Sequence, residues 1–100
     1  MLTTNKSIEN GTATFALNGW LDTTSAPQFE QDLKGSLEGV SLVVLDLKDL
    51  EYISSAGLRL VIALQKQTAD TDNKLVIRNI NKVVAEVFKV SGLNKVLTIV

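Results

Sequence analysis

The chain has 100 residues, enough for one domain and too few for two. Apolar residues make up 45% and charged residues 21%, which suits a buried core within a polar surface. The net charge of −1 offers no basic surplus for nucleic acid, and the absence of cysteine and histidine removes disulfides, thiolate metal sites and the usual general base.

The start, Met1-Leu2-Thr3-Thr4-Asn5, has neither the basic opening nor the apolar centre of a signal peptide. No apolar run is long enough to cross a bilayer. A cytoplasmic protein without membrane insertion is the expectation. Glu9-Asn10-Gly11 is a hairpin signal between a weaker edge strand, roughly Leu2 to Ile8, and a strand from Thr12 to Leu17. In the second strand Ala13, Phe15 and Leu17 alternate with Thr12, Thr14 and Ala16, the pattern of a strand with one well-buried face.

Ser25-Ala26-Pro27-Gln28 opens a first helix, with Ser25 as cap, Pro27 in the first turn and Gln28 completing a capping box. Ala26, Phe29, Leu33 and Leu37 recur at helical spacing, and Gly39 is expected to close the element. The aliphatic runs Leu42 to Leu45 and Leu75 to Ile77 predict central strands covered on both faces. A second helix, Ser55 to Thr71, lies between them. It carries Leu58, Leu60, Val61, Ile62, Ala63 and Leu64, more than one stripe, so most of these are expected in the core. Asn81 is a natural cap for a third helix whose inner face is Ile80, Val83, Val84, Val87 and Phe88. Gly92, in Ser91-Gly92-Leu93, suits a left-handed stop, and Val96 to Val100 reads as a last short strand. The order is ββαβαβαβ, an α/β domain with a mixed β-sheet and packed α-helices.

The segment with the most chemistry runs from Val43 to Leu60. An apolar strand enters a short acidic turn, followed by Ser54-Ser55-Ala56-Gly57-Leu58-Arg59 and an apolar helix. This puts two hydroxyls at a helix N-terminus, where backbone N–H groups point outward unpaired. Such a position favours anions and suits a serine that is to be phosphorylated. Ser54 fits the cap itself, since serine accepts a bond from the first free N–H groups. Ser55 then falls inside the first turn with a hydroxyl free to face solvent. Gly57 reads either as a close-approach residue in packing or as room for a partner. No Gly-x-x-x-x-Gly-Lys, Gly-x-Gly-x-x-Gly or His-Glu-x-x-His occurs, and the scattered carboxylates suggest a solvated face, so enzymatic activity and a bound cofactor are not expected.

This segment closely resembles the signature of STAS domains, the family of anti-sigma factor antagonists. There an apolar strand and acidic turn lead into Asp-Ser-Ser/Thr-Gly-Leu and a helix. Ser54 stands where the family has Asp, Ser55 matches the phosphorylated serine, and Ala56 replaces the second hydroxyl. Gly19-Trp20-Leu21-Asp22 is similar to the family's Gly-x-Leu-Asp element, Asp46 matches an Asp or Asn position at the end of the third strand, and Val83 to Leu93 resembles its closing helix. The resemblance implies one STAS domain over residues 1–100. It implies an anti-sigma factor antagonist that binds an anti-sigma factor acting as a serine kinase, and so releases a sigma factor. Phosphorylation of Ser55, less readily Ser54, would switch it off, and a phosphatase would restore it. ATP would be the kinase's phosphate donor. Asp22, Ser54, Ser55, Ala56, Gly57, Leu58 and Arg59 are the implied partner-binding residues; Asp22 and Asp46 read either as a polar setting near Ser55 or, structurally, as a turn residue and a strand-end hydrogen bond. Trp20 reads as either an exposed rim residue or a lid over the core. The alternative within the family is a constitutive accessory subunit docked on the ATPase of a membrane transporter.

Overall fold

The computed structural model describes residues 1–100. Strands β1 (Leu2–Glu9) and β2 (Thr12–Leu21) form the predicted hairpin. Helix α1 (Ala26–Lys34), strand β3 (Leu42–Ile53), helix α2 (Ser55–Asp70), strand β4 (Lys74–Arg78) and helix α3 (Lys82–Ser91) follow. A 3-10 turn (Leu93–Lys95) leads into β5 (Thr98–Ile99). The sheet order is β1-β2-β3-β4-β5. Only the β1–β2 pair is antiparallel, so the sheet is mixed, as the sequence predicts.

Each parallel pair needs a crossover, and the helices supply it. Their buried side chains join one cluster of 22 residues with Val43, Leu45, Leu47, Leu75 and Ile77. Val44, pointing the other way, is buried but lies outside that cluster, and Val76 is only half-buried. The helical layer therefore covers one face of the sheet, and the expectation of two covered faces is corrected. Along α2, Leu60, Val61 and Leu64 are buried, Leu58 and Ile62 are half-buried, and Ala63 is exposed. On α3, Val84 and Phe88 are buried but Val83 is 64% exposed, so Val83 leaves the predicted inner face.

Four further expectations are corrected. Helix α1 stops at Lys34, with Gly35 as its C-cap, so Leu37 and Gly39 lie beyond it. There the Ser36 hydroxyl donates to the carbonyl of Asp32 at 2.7 Å and receives Lys6 Nζ at 2.9 Å, tying the turn to β1. Ser25 makes no side-chain cap on α1, because its hydroxyl is turned toward Trp20 and Asp22. The final strand is shorter than predicted, because residues 93–95 wind into a 3-10 turn after Gly92, whose φ of +80° ends α3 as expected.

The fourth is the acidic segment after Leu45, which is strand and not turn. β3 runs on to Ile53, paired to β2 through two irregularities that leave Leu47, Lys48 and Glu51 without a direct partner. Beyond Asp46 it no longer pairs with β4. Asn81 takes over there. Its Nδ2 donates to the carbonyls of Leu47, Lys48 and Leu50, at 3.0, 3.2 and 2.7 Å. Its Oδ1 accepts from Val84 N at 3.0 Å and caps α3. One side chain thus satisfies the irregular strand and starts the helix that packs on it.

Candidate functional site

The β2 and β3 strands end side by side, with Trp20 opposite Tyr52 and Leu21 opposite Ile53. Ser54 N donates to the carbonyl of Leu21 at 2.9 Å, so the start of α2 is stitched to the end of β2. Ser54 is extended (φ −92°, ψ 177°), and its Oγ accepts from Gly57 N at 3.4 Å. It is the N-cap, as predicted. A bond of that length is weak, so Ser54→Ala is expected to lower stability by about 0.5–1 kcal/mol, the lower half of the usual cap range. Urea denaturation of the variant measures this.

Ser55 is the first residue of α2, is exposed, and its hydroxyl has no hydrogen-bond partner. The free N–H groups of the first turn and the positive end of the helix dipole lie beneath it. Ala56 and Leu58 are half-buried and pack against the core, while Arg59 is exposed, in no ion pair, one turn below Ser55. Arg59 also lines a groove of about 420 Å³ between α1 and α2 with Thr23, Pro27 and Glu30.

Gly57 has a packing reason. A Cβ there would stand 2.7 Å from both the Leu21 carbonyl oxygen and Ile53 Cγ1. The absence of a side chain allows the helix start to sit on the strand ends.

Asp22 lies directly after β2, beside this junction. Its Oδ1 accepts from Thr24 N at 3.1 Å, Ser25 N at 3.0 Å and Ser25 Oγ at 3.1 Å. The single Ser25 hydroxyl proton is shared between Asp22 Oδ1 and the closer Trp20 O, at 2.7 Å, and Ser25 Oγ accepts from Asp22 N at 3.0 Å. Asp22 therefore shapes the turn into α1, which matches its structural reading as a turn residue and takes over the part expected of Ser25. Its carboxyl is held below its ordinary value, chiefly by the Ser25 backbone N–H. Partial burial opposes this, and the Ser25 hydroxyl and Thr24 N–H add to it. A depressed carboxylate stabilises the fold above its unfolded-state pKa, and that contribution is lost as pH falls through the folded-state value. Asp22→Ala should therefore lower the denaturation midpoint at pH 7, and the gap to the unaltered chain should narrow below about pH 4. Equal losses at both pH values would remove the charge from this account.

Asp46 is not at this site. It lies within β3, with seven more strand residues before Ser54. At about 3.3 Å per residue that is on the order of 20 Å away. Its carboxylate accepts from Lys48 N and Asn79 Nδ2, both at 3.1 Å, and stands 3.9 Å from Arg78. It braces the irregular strand, and its expected place beside Ser55 is corrected.

Trp20 is exposed at the rim rather than a lid, at 51% of its surface. Beside it is a residue the sequence reading passed over, Tyr52, also 51% exposed. The rings meet edge to face, with centroids 6.4 Å apart and planes at 74°. Only the parallel register of β2 and β3 brings them together, and no local sequence signal carries that. The rim thus carries Trp20, Tyr52 and Asp22 around one hollow, with Ser54 stitched to the end of β2 and Arg59 on a separate groove between the helices.

Three comparisons bear on this arrangement. The model of the STAS domain matches residues 3–100. The chain belongs to the STAS domain family. This STAS domain is 42% identical over 77 residues to BtrV of Bordetella bronchiseptica, a candidate anti-sigma factor antagonist. The match covers 76% of this chain and 66% of BtrV, just under two thirds of that protein's length. Among solved structures, a candidate anti-sigma factor antagonist from Thermotoga maritima superposes with a TM-score of 0.89 at 19% identity, over 96% of this STAS domain and 84% of that chain. The anti-sigma factor antagonist SpoIIAA in its unphosphorylated form gives 0.77 at 15% identity, over 100% and 87%. The phosphorylated form of SpoIIAA, from Bacillus, gives 0.76 at 18% identity, over 100% and 91%. At these identities the superpositions show the shared fold. No helix is long and apolar enough to cross a membrane.

Proposed function

We propose that this STAS domain is an anti-sigma factor antagonist whose rim binds an anti-sigma factor that is also a serine kinase, and that phosphorylation of Ser55 ends the complex. The observation that carries this reading is the division of labour between the two serines. Ser54 is used as a cap, whereas Ser55 is exposed, one residue inside the helix, with a free hydroxyl. The identity to BtrV and the existence of SpoIIAA in both phosphorylation states support it.

The chemistry fits a reversible switch. A phosphate on Ser55 adds about −1.5 to −2 charges at neutral pH. At a helix N-terminus the dipole favours that charge by roughly 0.3–1 kcal/mol, so the fold tolerates it. A partner closed over the same spot would have to strip water from the phosphate, which costs more than the dipole returns. The unmodified form therefore binds, the phosphorylated form does not, and a phosphatase resets the cycle. ATP belongs to the kinase. The chain's own part is to present a hydroxyl on a fixed helix end.

Isothermal titration of the unmodified chain with the anti-sigma factor kinase of the same source cell tests the docking. A stoichiometric complex is expected, together with sigma factor release. Co-purification with a transporter ATPase and with no such kinase would transfer the domain to the accessory-subunit role.

A further inference from the structure

We propose that the hollow walled by Trp20, Tyr52 and Asp22 is a receptor for one cationic side chain, arginine in preference to lysine, carried by the protein that docks on this rim. The hollow is about 390 Å³ and is lined by these three residues alone. Two walls are aromatic and stand at 74° to one another, each residue half exposed. Aromatic faces attract cations through their quadrupole, tryptophan most strongly. The third wall is a carboxylate. Its Oδ1 is saturated by Thr24 and Ser25, while Oδ2 has no hydrogen-bond or ion-pair partner. None of the chain's own lysines or arginines lines the hollow, and the Met1 ammonium nearby, which helps hold the Asp22 carboxyl down, forms no ion pair with it.

Charge complementarity fixes the occupant. A neutral apolar side chain would cover the rings but leave Oδ2 stripped of water and unpaired, which is costly. A cation satisfies both. The planar guanidinium is weakly hydrated, stacks on a ring and can direct an N–H to Oδ2 at the same time, whereas an ammonium offers only a point charge. Asp22 is rigid enough to select, because the turn it shapes also fixes its side chain. Gly19 fixes Trp20. Its φ of +108° lets the chain start pass close by, and Trp20 N donates to Met1 O at 3.0 Å.

The slot can be tested without the kinase, so its fate is separable from the docking reading that names its biological occupant. The chain has one tryptophan and one tyrosine, so both ring signals are assigned at once in an NMR spectrum. N-acetyl-arginine amide is titrated against its neutral isostere, N-acetyl-citrulline amide. Arginine is expected to shift both rings saturably and to bind about three- to tenfold more tightly than citrulline. Asp22→Asn, which keeps the Oδ1 acceptor and loses the charge, should erase that difference, and its ring spectrum before titration should match that of the unaltered chain, showing the hollow still formed. Equal binding of the two amides, or an arginine preference that survives Asp22→Asn, overturns the proposal. Ring shifts that follow protein concentration without any amide would assign the face to a second copy of the chain, and also overturn it. In the complex with the kinase, Asp22→Asn and Trp20→Ala should each weaken binding about tenfold or more. Unchanged affinity there removes the partner's cation from the slot. A wild-type chain that binds no kinase overturns the docking reading, and the arginine titration alone then decides the slot.

Discussion

Gly57→Ala is expected to cost this domain about 2 kcal/mol, although alanine is the better helix former by about 1 kcal/mol. The propensity gain is overridden by contact. The added methyl would meet the Leu21 carbonyl oxygen and Ile53 Cγ1, each at 2.7 Å. Ile53 can rotate, but the carbonyl cannot, because it also accepts the Ser54 N–H that joins α2 to β2. Relief therefore requires the helix start to lift from the strand ends. That movement would carry Ser54 and Ser55 with it. For a domain of this size the loss should lower Tm by roughly 8–16 °C. Calorimetry measures it, and a variant as stable as the unaltered chain would mean the helix end is loosely seated. The same lift should weaken partner binding, because the rim is one rigid arrangement of two strand ends and one helix end.

Ser55→Asp should carry the largest functional effect. It places a permanent charge where the proposed interface closes, on a side chain shorter than phosphoserine and with one charge. A buried unpaired charge at an interface costs about 2–5 kcal/mol, so the affinity for the kinase should fall by roughly 30-fold or more. Ser55→Ala should bind as the unmodified chain does, because the free hydroxyl makes no contact whose loss would matter. Neither variant should lose much stability, since both side chains are exposed at the first helical position. Titration calorimetry of the two variants side by side checks the contrast. Equal affinities would remove the charge from the mechanism.

The serines were legible because their signals are local. A cap residue, a small helix-starting stretch and an apolar run following it act within one turn, and the structure honours them at Ser54 and again at Asn81. What was misread depends on partners distant in sequence. The acidic segment looked like a turn because it is polar. It is polar because β3 has lost β4 beyond Asp46 and pairs with β2 alone, so its outer side faces water. That extension carried Asp46 away from the serines. Ser25 lost its cap role to Asp22, three residues earlier, whose carboxylate bonds the same turn more completely. Leu37 kept the apolar spacing of α1 after the helix had ended, since a half-buried side chain in a following turn reaches the same core. Tyr52 beside Trp20 could not be read at all, because parallel register is a property of the folded sheet.

The central claim is that Ser55, and not its neighbour, receives the phosphate. Incubation with the cognate anti-sigma factor kinase and ATP, followed by mass spectrometry of the intact chain and its peptides, tests this directly. One phosphate on Ser55 is predicted, retained in Ser54→Ala and absent in Ser55→Ala. A phosphate on Ser54, or no transfer to the unaltered chain by a kinase that binds it, would contradict the account.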